Sequence, residues 1–289
     1  MAMMTYVLPG AIFLLMLSVG MSLRLTELMA RWRRLTWTKW FALTMATFVI
    51  PPALALLLAN LCRLSLAETV GLFMLGAAPG APLLSRNLAQ RGFDMHVAAS
   101  YQIWAALMVP LMLPLVIAAA GLLYDRHIWI PPSFLLRQIV EKQLLPVVVG
   151  MLIARAAPKP SERVLPVLNV LGNVILTLLI VAILIKMGPQ LKKLTPMVPV
   201  AALLLALGSL GAIFLFRAAD EAAKDTFGLC NVNRHVGLAM LISGQYLHAR
   251  EAVPTLACYA LIVPVVIIVY VKRMSAARKT STHAGKMLS

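Results

Sequence analysis

The sequence predicts an all-α polytopic membrane protein of about nine transmembrane helices, arranged as an inverted repeat with two broken, crossing helices. Three observations lead there. The 289 residues are 61% hydrophobic and 12% charged, with a mean hydropathy of +0.89, against about 45–50% apolar and about 25% charged in a soluble domain. The apolar residues gather into nine runs, near 6–22, 37–61, 67–90, 93–123, 134–154, 165–187, 195–217, 224–247 and 253–271. The third and eighth runs are apolar at their flanks and Pro/Gly-rich or polar at their centres.

Run 1 has neither a basic leader nor a small-residue cleavage site ahead of it, and reads as a retained first span. The basic stretch Arg24 to Thr36 follows as the longest loop, with Trp32, Trp37 and Trp40 forming an interface belt. Run 2 carries Pro51 and Pro52 in mid-span. Run 3 is interrupted at Pro79-Gly80-Ala81-Pro82 and leaves through Ser85-Arg86-Asn87. Run 5 opens with Arg137, Glu141 and Lys142, and the four-residue spacing lets Arg137 pair with Glu141 on one helical face. Run 8 is interrupted by Asn231-Val232-Asn233-Arg234-His235. Irregular backbone at membrane depth is tolerated only where it lines a cavity or is buried in protein. Paired interruptions of this kind point to a transporter binding site.

A repeat links the two interrupted runs. Run 4 contains Ala106-Leu107-Met108-Val109-Pro110 and run 9 contains Ala260-Leu261-Ile262-Val263-Pro264. Gly80 precedes Pro110 by 30 residues, and Arg234 precedes Pro264 by 30. Runs 2–4 and 7–9 lie five spans apart, an odd number, so the two copies have opposite topology. After run 9, the segment 272–289 reads as a polar, irregular tail beyond the transmembrane unit 1–271.

The net charge of +16 reflects only 10 acids beside 26 Lys and Arg. Those bases sit in short loops between apolar runs, which excludes nucleic acid as the partner and indicates anionic lipid. With the N-terminus outside, 17 Lys and Arg fall in inner segments and 6 in outer loops. This bias selects N-out, C-in in a bacterial inner membrane. Cys62, Cys230 and Cys258 have no zinc or disulfide spacing, and no metal or cofactor is expected.

Two motifs and a crossover carry a family resemblance. Ser18-Val-Gly20-Met21-Ser22-Leu23-Arg24-Leu25-Thr26-Glu27-Leu28 is followed by Arg31, Arg33 and Arg34; Ala78-Pro79-Gly80 stands in run 3; and Gly237-Leu238-Ala239 follows the polar centre of run 8. Over nearly the whole chain this resembles the bile acid:sodium symporter superfamily. The resemblance implies a core domain of about 37–123 and 195–271, a panel domain of about 6–22 and 134–187, and an organic anion such as a bile acid or a small carboxylate as solute.

The resemblance also maps ion-site positions onto Thr47, Leu84, Ser85, Ala98, Gln102, Cys230 and Arg234, most of them substituted here. Sodium wants oxygen ligands, yet Cys230 stands where relatives carry an acid and Arg234 adds a cation. Like charges about 4 Å apart repel by several kcal/mol at an effective dielectric near 20. The residues therefore argue against sodium at both sites, and Arg234 reads as a permanent substitute for its charge.

The candidate substrate-binding residues are Pro79, Gly80, Ser85, Asn87, Asn231, Asn233, Arg234 and His235. An arginine at bilayer depth marks a pathway or a pair; the structural alternative for Arg234 is to cap carbonyls of the broken helix or to pair with Asp225. His235 can change charge near neutral pH. Asn231 and Asn233 suit either substrate contact or freed backbone groups, and Ser85-Arg86-Asn87 suits either the site or a cytosolic exit. The function expected is secondary transport of an organic anion by alternating access. A proton-linked or facilitative carrier of the auxin-efflux type is the alternative within transport. A membrane sensor is a further class, but the tail is too short to be a signalling domain. No H-E-x-x-H, aspartate pair or serine nucleophile motif marks an intramembrane enzyme.

Overall fold

A computed structural model describes residues 2–33, 36–123, 130–191, 193–215, 217, 219–220, 223–247 and 249–287. Arg34, Arg126 and Lys192, counted among the loop cations, and the terminal Ser289 lie outside them. The regular structure among the described residues is helical, and each of the nine apolar runs falls mainly on helix. Among the described residues, four helices are long and apolar enough to cross a membrane: Trp37–Leu61, Met95–Leu122, Val198–Leu215 and Val253–Met274.

The order begins with α1 (Ala2–Met21) and α2 (Leu25–Arg33). Next come α3 (Trp37–Thr44), a π-helical turn (Met45–Val49) and α4 (Ile50–Leu61), which together match the limits of run 2. The first interrupted run is α5 (Leu66–Ala77) and α6 (Leu84–Ala89), followed by α7 (Met95–Leu123). Then α8 (Pro132–Ile139), a second π-helical turn (Val140–Leu144) and α9 (Leu145–Ala156) lead into α10 (Pro158–Leu191). After α11 (Val198–Leu215), the second interrupted run is α12 (Lys224–Val232) and α13 (Val236–Gln245), and α14 (Val253–Met287) closes the order.

Two expectations need correction. The stretch Arg24 to Thr36 is not a bare loop, because α2 buries Leu28 on one side. The segment after 271 is not irregular: α14 continues to Met287, carried by the helix formers Ala276, Ala277, Arg278 and Lys279. Of the three tryptophans, Trp37 is exposed, while Trp40 packs on Trp104 with ring centroids 5.8 Å apart and Trp32 Nε1 donates to the Ser100 carbonyl at 3.3 Å.

Helix α1 packs against α9 and α10, α4 against α5 and α11, and α11 against α12 and α14. The α1–α9 contact runs backbone to backbone: a Cβ on Gly20 would lie 2.1 Å from the Val147 oxygen, and one on Gly150 2.2 Å from the Leu17 oxygen. Small residues that let backbones approach are a general means of joining helices in lipid.

Loop contacts join ends that the cation count puts on one side. Lys39 pairs with Asp220, and His96 Nδ1 lies 3.1 Å from Glu27 Oε2. At the opposite ends, Glu68 closes a capping box with Ser65 and accepts from the Thr195 N–H at 2.7 Å and hydroxyl at 2.9 Å. Arg137 Nε and Glu141 Oε1 pair at 2.7 Å as their spacing predicts.

Candidate functional site

The two breaks meet. The His235 N–H donates to the Ala78 carbonyl at 2.8 Å, tying the irregular segment after α12 to the end of α5. In the first break Gly80 has φ +76, a left-handed conformation, and a Cβ there would come 3.0 Å from the Ala105 Cβ. Pro79 beside it lacks an N–H and ends α5. The second break comprises Asn233, Arg234 and His235, with Asn231 still in the last turn of α12.

A register change in run 2 prepares the site. The Ile50 N–H bonds to the Met45 oxygen, the longer spacing of a π turn, and Pro51 and Pro52 supply no N–H behind it. Backbone carbonyls of Ala46 and Thr47 are thereby released from the helical ladder, and a buried carbonyl without a donor costs about 1–3 kcal/mol. Side chains of run 8 fill them. Asn231 Nδ2 donates to the Ala46 carbonyl at 2.9 Å and to the Ser209 carbonyl at 2.7 Å. Arg234 Nη1 donates to the Thr47 carbonyl at 3.1 Å and the Gly76 carbonyl at 3.3 Å.

Asn231, fully buried, is the hub of this network. Its Oδ1 accepts from Tyr101 Oη at 2.9 Å and from Arg234 Nη2 at 3.2 Å. Tyr259 Oη donates to the Val232 carbonyl at 2.7 Å, holding the end of α12 to α14. The guanidinium of Arg234, 3% exposed, is thus ringed by two carbonyls and an amide oxygen. Asp225 is engaged elsewhere, accepting from Tyr270 Oη at 2.8 Å. Both terminal nitrogens of Arg234 are committed to the protein, so it offers this region its charge more than its donor atoms; Nε alone has no partner.

His235 caps α13: its Nδ1 accepts the Leu238 N–H at 3.0 Å. That fixes a neutral ring with the proton on Nε2. Nε2 lies 2.7 Å from the side-chain amide of Gln143, whose oxygen end is the one able to accept that proton. Gln143 sits in the second π turn, so the crossover touches the α8–α9 unit through this pair.

The remaining predicted positions divide. Ser85 and Gln102 come together, the Ser85 N–H donating to Gln102 Oε1 at 3.0 Å, and Gln102 Nε2 lies 3.7 Å from Met16 Sδ on α1. Thr47 and Arg234 come together as described. Leu84, Ala98 and Cys230 are buried, and Cys230 is a free thiol. Asn233 Nδ2 turns back to the Leu229 carbonyl at 2.8 Å, and Asn87 is exposed. Sequence reasoning missed Tyr101, Tyr259, Ser209 and Gln143. Pro51-Pro52 and Pro146 were the available signals, since a proline leaves the carbonyl a turn before it without its donor.

Tyr101→Phe should lower stability by about 1 kcal/mol, the worth of one buried hydrogen bond. Thermal unfolding of the purified protein checks this; an unchanged midpoint would mean that Arg234 alone holds Asn231 Oδ1.

Long apolar helices with two broken members, whose breaks meet around buried polar groups, define a polytopic helical membrane protein of the carrier kind. Comparison with protein families matches residues 9–194 to the Sodium Bile acid symporter family. The chain belongs to that family: it is an integral membrane protein and a transporter, not an enzyme. No curated protein matches the chain. The matched stretch holds the first break and ends before α11, so the correspondences drawn for Cys230, Arg234 and His235 rest on the motifs of the second half.

Proposed function

We propose that the protein is a secondary transporter of an organic anion that works by alternating access without sodium as its coupling ion. In this reading nine spans form an inverted repeat, with the core of about 37–123 and 195–271 rocking against the panel of about 6–22 and 134–187. The N-terminus lies outside and the tail 272–289 in the cytoplasm of a bacterial inner membrane. The observation that supports sodium independence is the Arg234 guanidinium, buried among the Thr47 and Gly76 carbonyls and Asn231 Oδ1. Such an oxygen set suits a monovalent cation, and here a covalently attached cation fills it. Arginine does not deprotonate in proteins, so the charge is permanent, and its field favours an anionic solute near the crossover.

Uptake of labelled succinate and cholate into proteoliposomes tests this. Wild-type uptake should be equal in sodium and in choline medium, Arg234→Gln should abolish it, and Arg234→Lys should keep part. A strict sodium requirement together with normal uptake by Arg234→Gln would refute the charge-replacement reading. Uptake of neither solute would remove the organic anion.

One observation favours a second reading, a proton-linked carrier similar to the auxin-efflux type. Protonating His235 on Nδ1 would displace the Leu238 N–H that caps α13 while leaving the Nε2–H bond to Gln143 in place. Uptake driven by an inward proton gradient, and lost in His235→Gln, would select it.

A further inference from the structure

The crossover leaves open which donor atoms grip the solute, because both terminal nitrogens of Arg234 are already taken up. A second buried arginine is in a different state. Arg86, on α6, is 6% exposed and reaches across to α10, where Nη2 donates to the Asn169 carbonyl at 2.9 Å. Its Nη1 is buried without a partner. Among the described residues no carboxylate pairs with it. Its neighbour Ser85 is fully buried, and the Ser85 hydroxyl is likewise unpartnered.

Buried polar groups are ordinarily satisfied. A buried guanidinium with an unused donor, no counter-charge and an unused hydroxyl beside it in sequence is short of an anion. The bond it does make is weak competition: the Asn169 carbonyl lies inside the continuous helix α10 and already belongs to that helix's own ladder. A planar guanidinium fork matches a carboxylate with two parallel hydrogen bonds, stronger than one bond to a neutral carbonyl.

We infer that Arg86, with the Ser85 hydroxyl, is the carboxylate-binding site for the transported solute, in the seam between α6 and α10. The inference rests on the organic-anion reading above and adds the residues that hold the anion. Binding is also coupled to motion there. A carboxylate that takes Nη1 and displaces the Asn169 carbonyl from Nη2 unties α6 from α10, the contact that rocking of core against panel must break. Arg234 contributes field and holds the crossover; Arg86 supplies the fork.

Equilibrium binding of labelled succinate and cholate to the full-length protein in nanodiscs, with no transport required, tests the assignment. Arg86→Gln should weaken binding roughly ten- to hundredfold, as the loss of charge-assisted hydrogen bonds implies. Arg86→Lys should fall between that and wild type, because it keeps the charge without the fork. Ser85→Ala should weaken binding severalfold. Monodisperse elution and the ligand-free melting temperature check folding, and the Lys and Ala variants carry the test if the Gln variant does not fold. Binding by Arg86→Lys and Ser85→Ala within about twofold of wild type would overturn the site and leave the organic-anion reading standing. Binding of neither ligand by wild type would overturn both.

Discussion

Asn231→Leu is expected to be the most damaging single substitution in the crossover. The side chain makes four hydrogen bonds from a fully buried position: two donated to the Ala46 and Ser209 carbonyls, two accepted from Tyr101 and Arg234. Leucine has similar volume and none of this capacity. The Ala46 carbonyl loses its donor beside the π turn, and Arg234 loses one of its three oxygens. Breaking a buried network that includes a charge costs about 3–5 kcal/mol, enough to remove most of the ~5–15 kcal/mol by which a native protein is held. Thermal unfolding in detergent and the yield of monodisperse protein measure it. Asn231→Asp is the companion variant: it keeps an acceptor for Tyr101 and Arg234 but sets a second oxygen against the two carbonyls. A midpoint for Asn231→Leu equal to that of wild type would show that the network does not hold the break.

Gly150→Leu should be nearly as severe for a different reason. The added Cβ would stand 2.2 Å from the Leu17 oxygen and 2.9 Å from the Met21 nitrogen, both backbone atoms that no rotamer can move aside. Helix α1 must then separate from α9, and overpacking of this kind costs about 1–3 kcal/mol or more. Gly20→Leu meets the Val147 oxygen at 2.1 Å and should behave alike, while Gly10, with no atom within 4 Å of a Cβ, should accept leucine without loss. Equal thermal midpoints for the Gly10 and Gly150 variants would refute the packing argument.

The sequence disclosed what depends on local composition. Run 2 ends at 37 and 61 on both counts, because apolar residues give way to polar ones at those points. The interruption at Pro79-Gly80 was legible because proline and glycine act on their own backbone wherever they stand, and the one at Asn231 to His235 because polar residues gather at the centre of an otherwise apolar run. Arg234 drew notice because an unpaired charge is costly in lipid. What fills its coordination was not legible. Pro51 and Pro52 announce that a carbonyl four residues earlier lacks a donor, but that Arg234 and Asn231 arrive from more than 180 residues away is decided by packing. Arg86 was readable equally as a cytosolic exit charge or as part of the site; only its burial and its unused nitrogen separate the two. The tail was misread for a simpler reason: polarity indicates solvent, and helix formers such as Ala276 and Arg278 remain helical in solvent.

The bond from the His235 N–H to the Ala78 carbonyl joins the two breaks through main-chain atoms alone. Its persistence over evolutionary time therefore does not depend on which side chains stand at those two positions. At 78 every residue supplies the acceptor, and at 235 every residue except proline supplies the donor. Descendants of this chain are free to exchange histidine for other residues, altering the chemistry presented at the crossover, while the junction itself is inherited unchanged. Diversification of solute and coupling can proceed around a joint that does not depend on the side chains at 78 and 235.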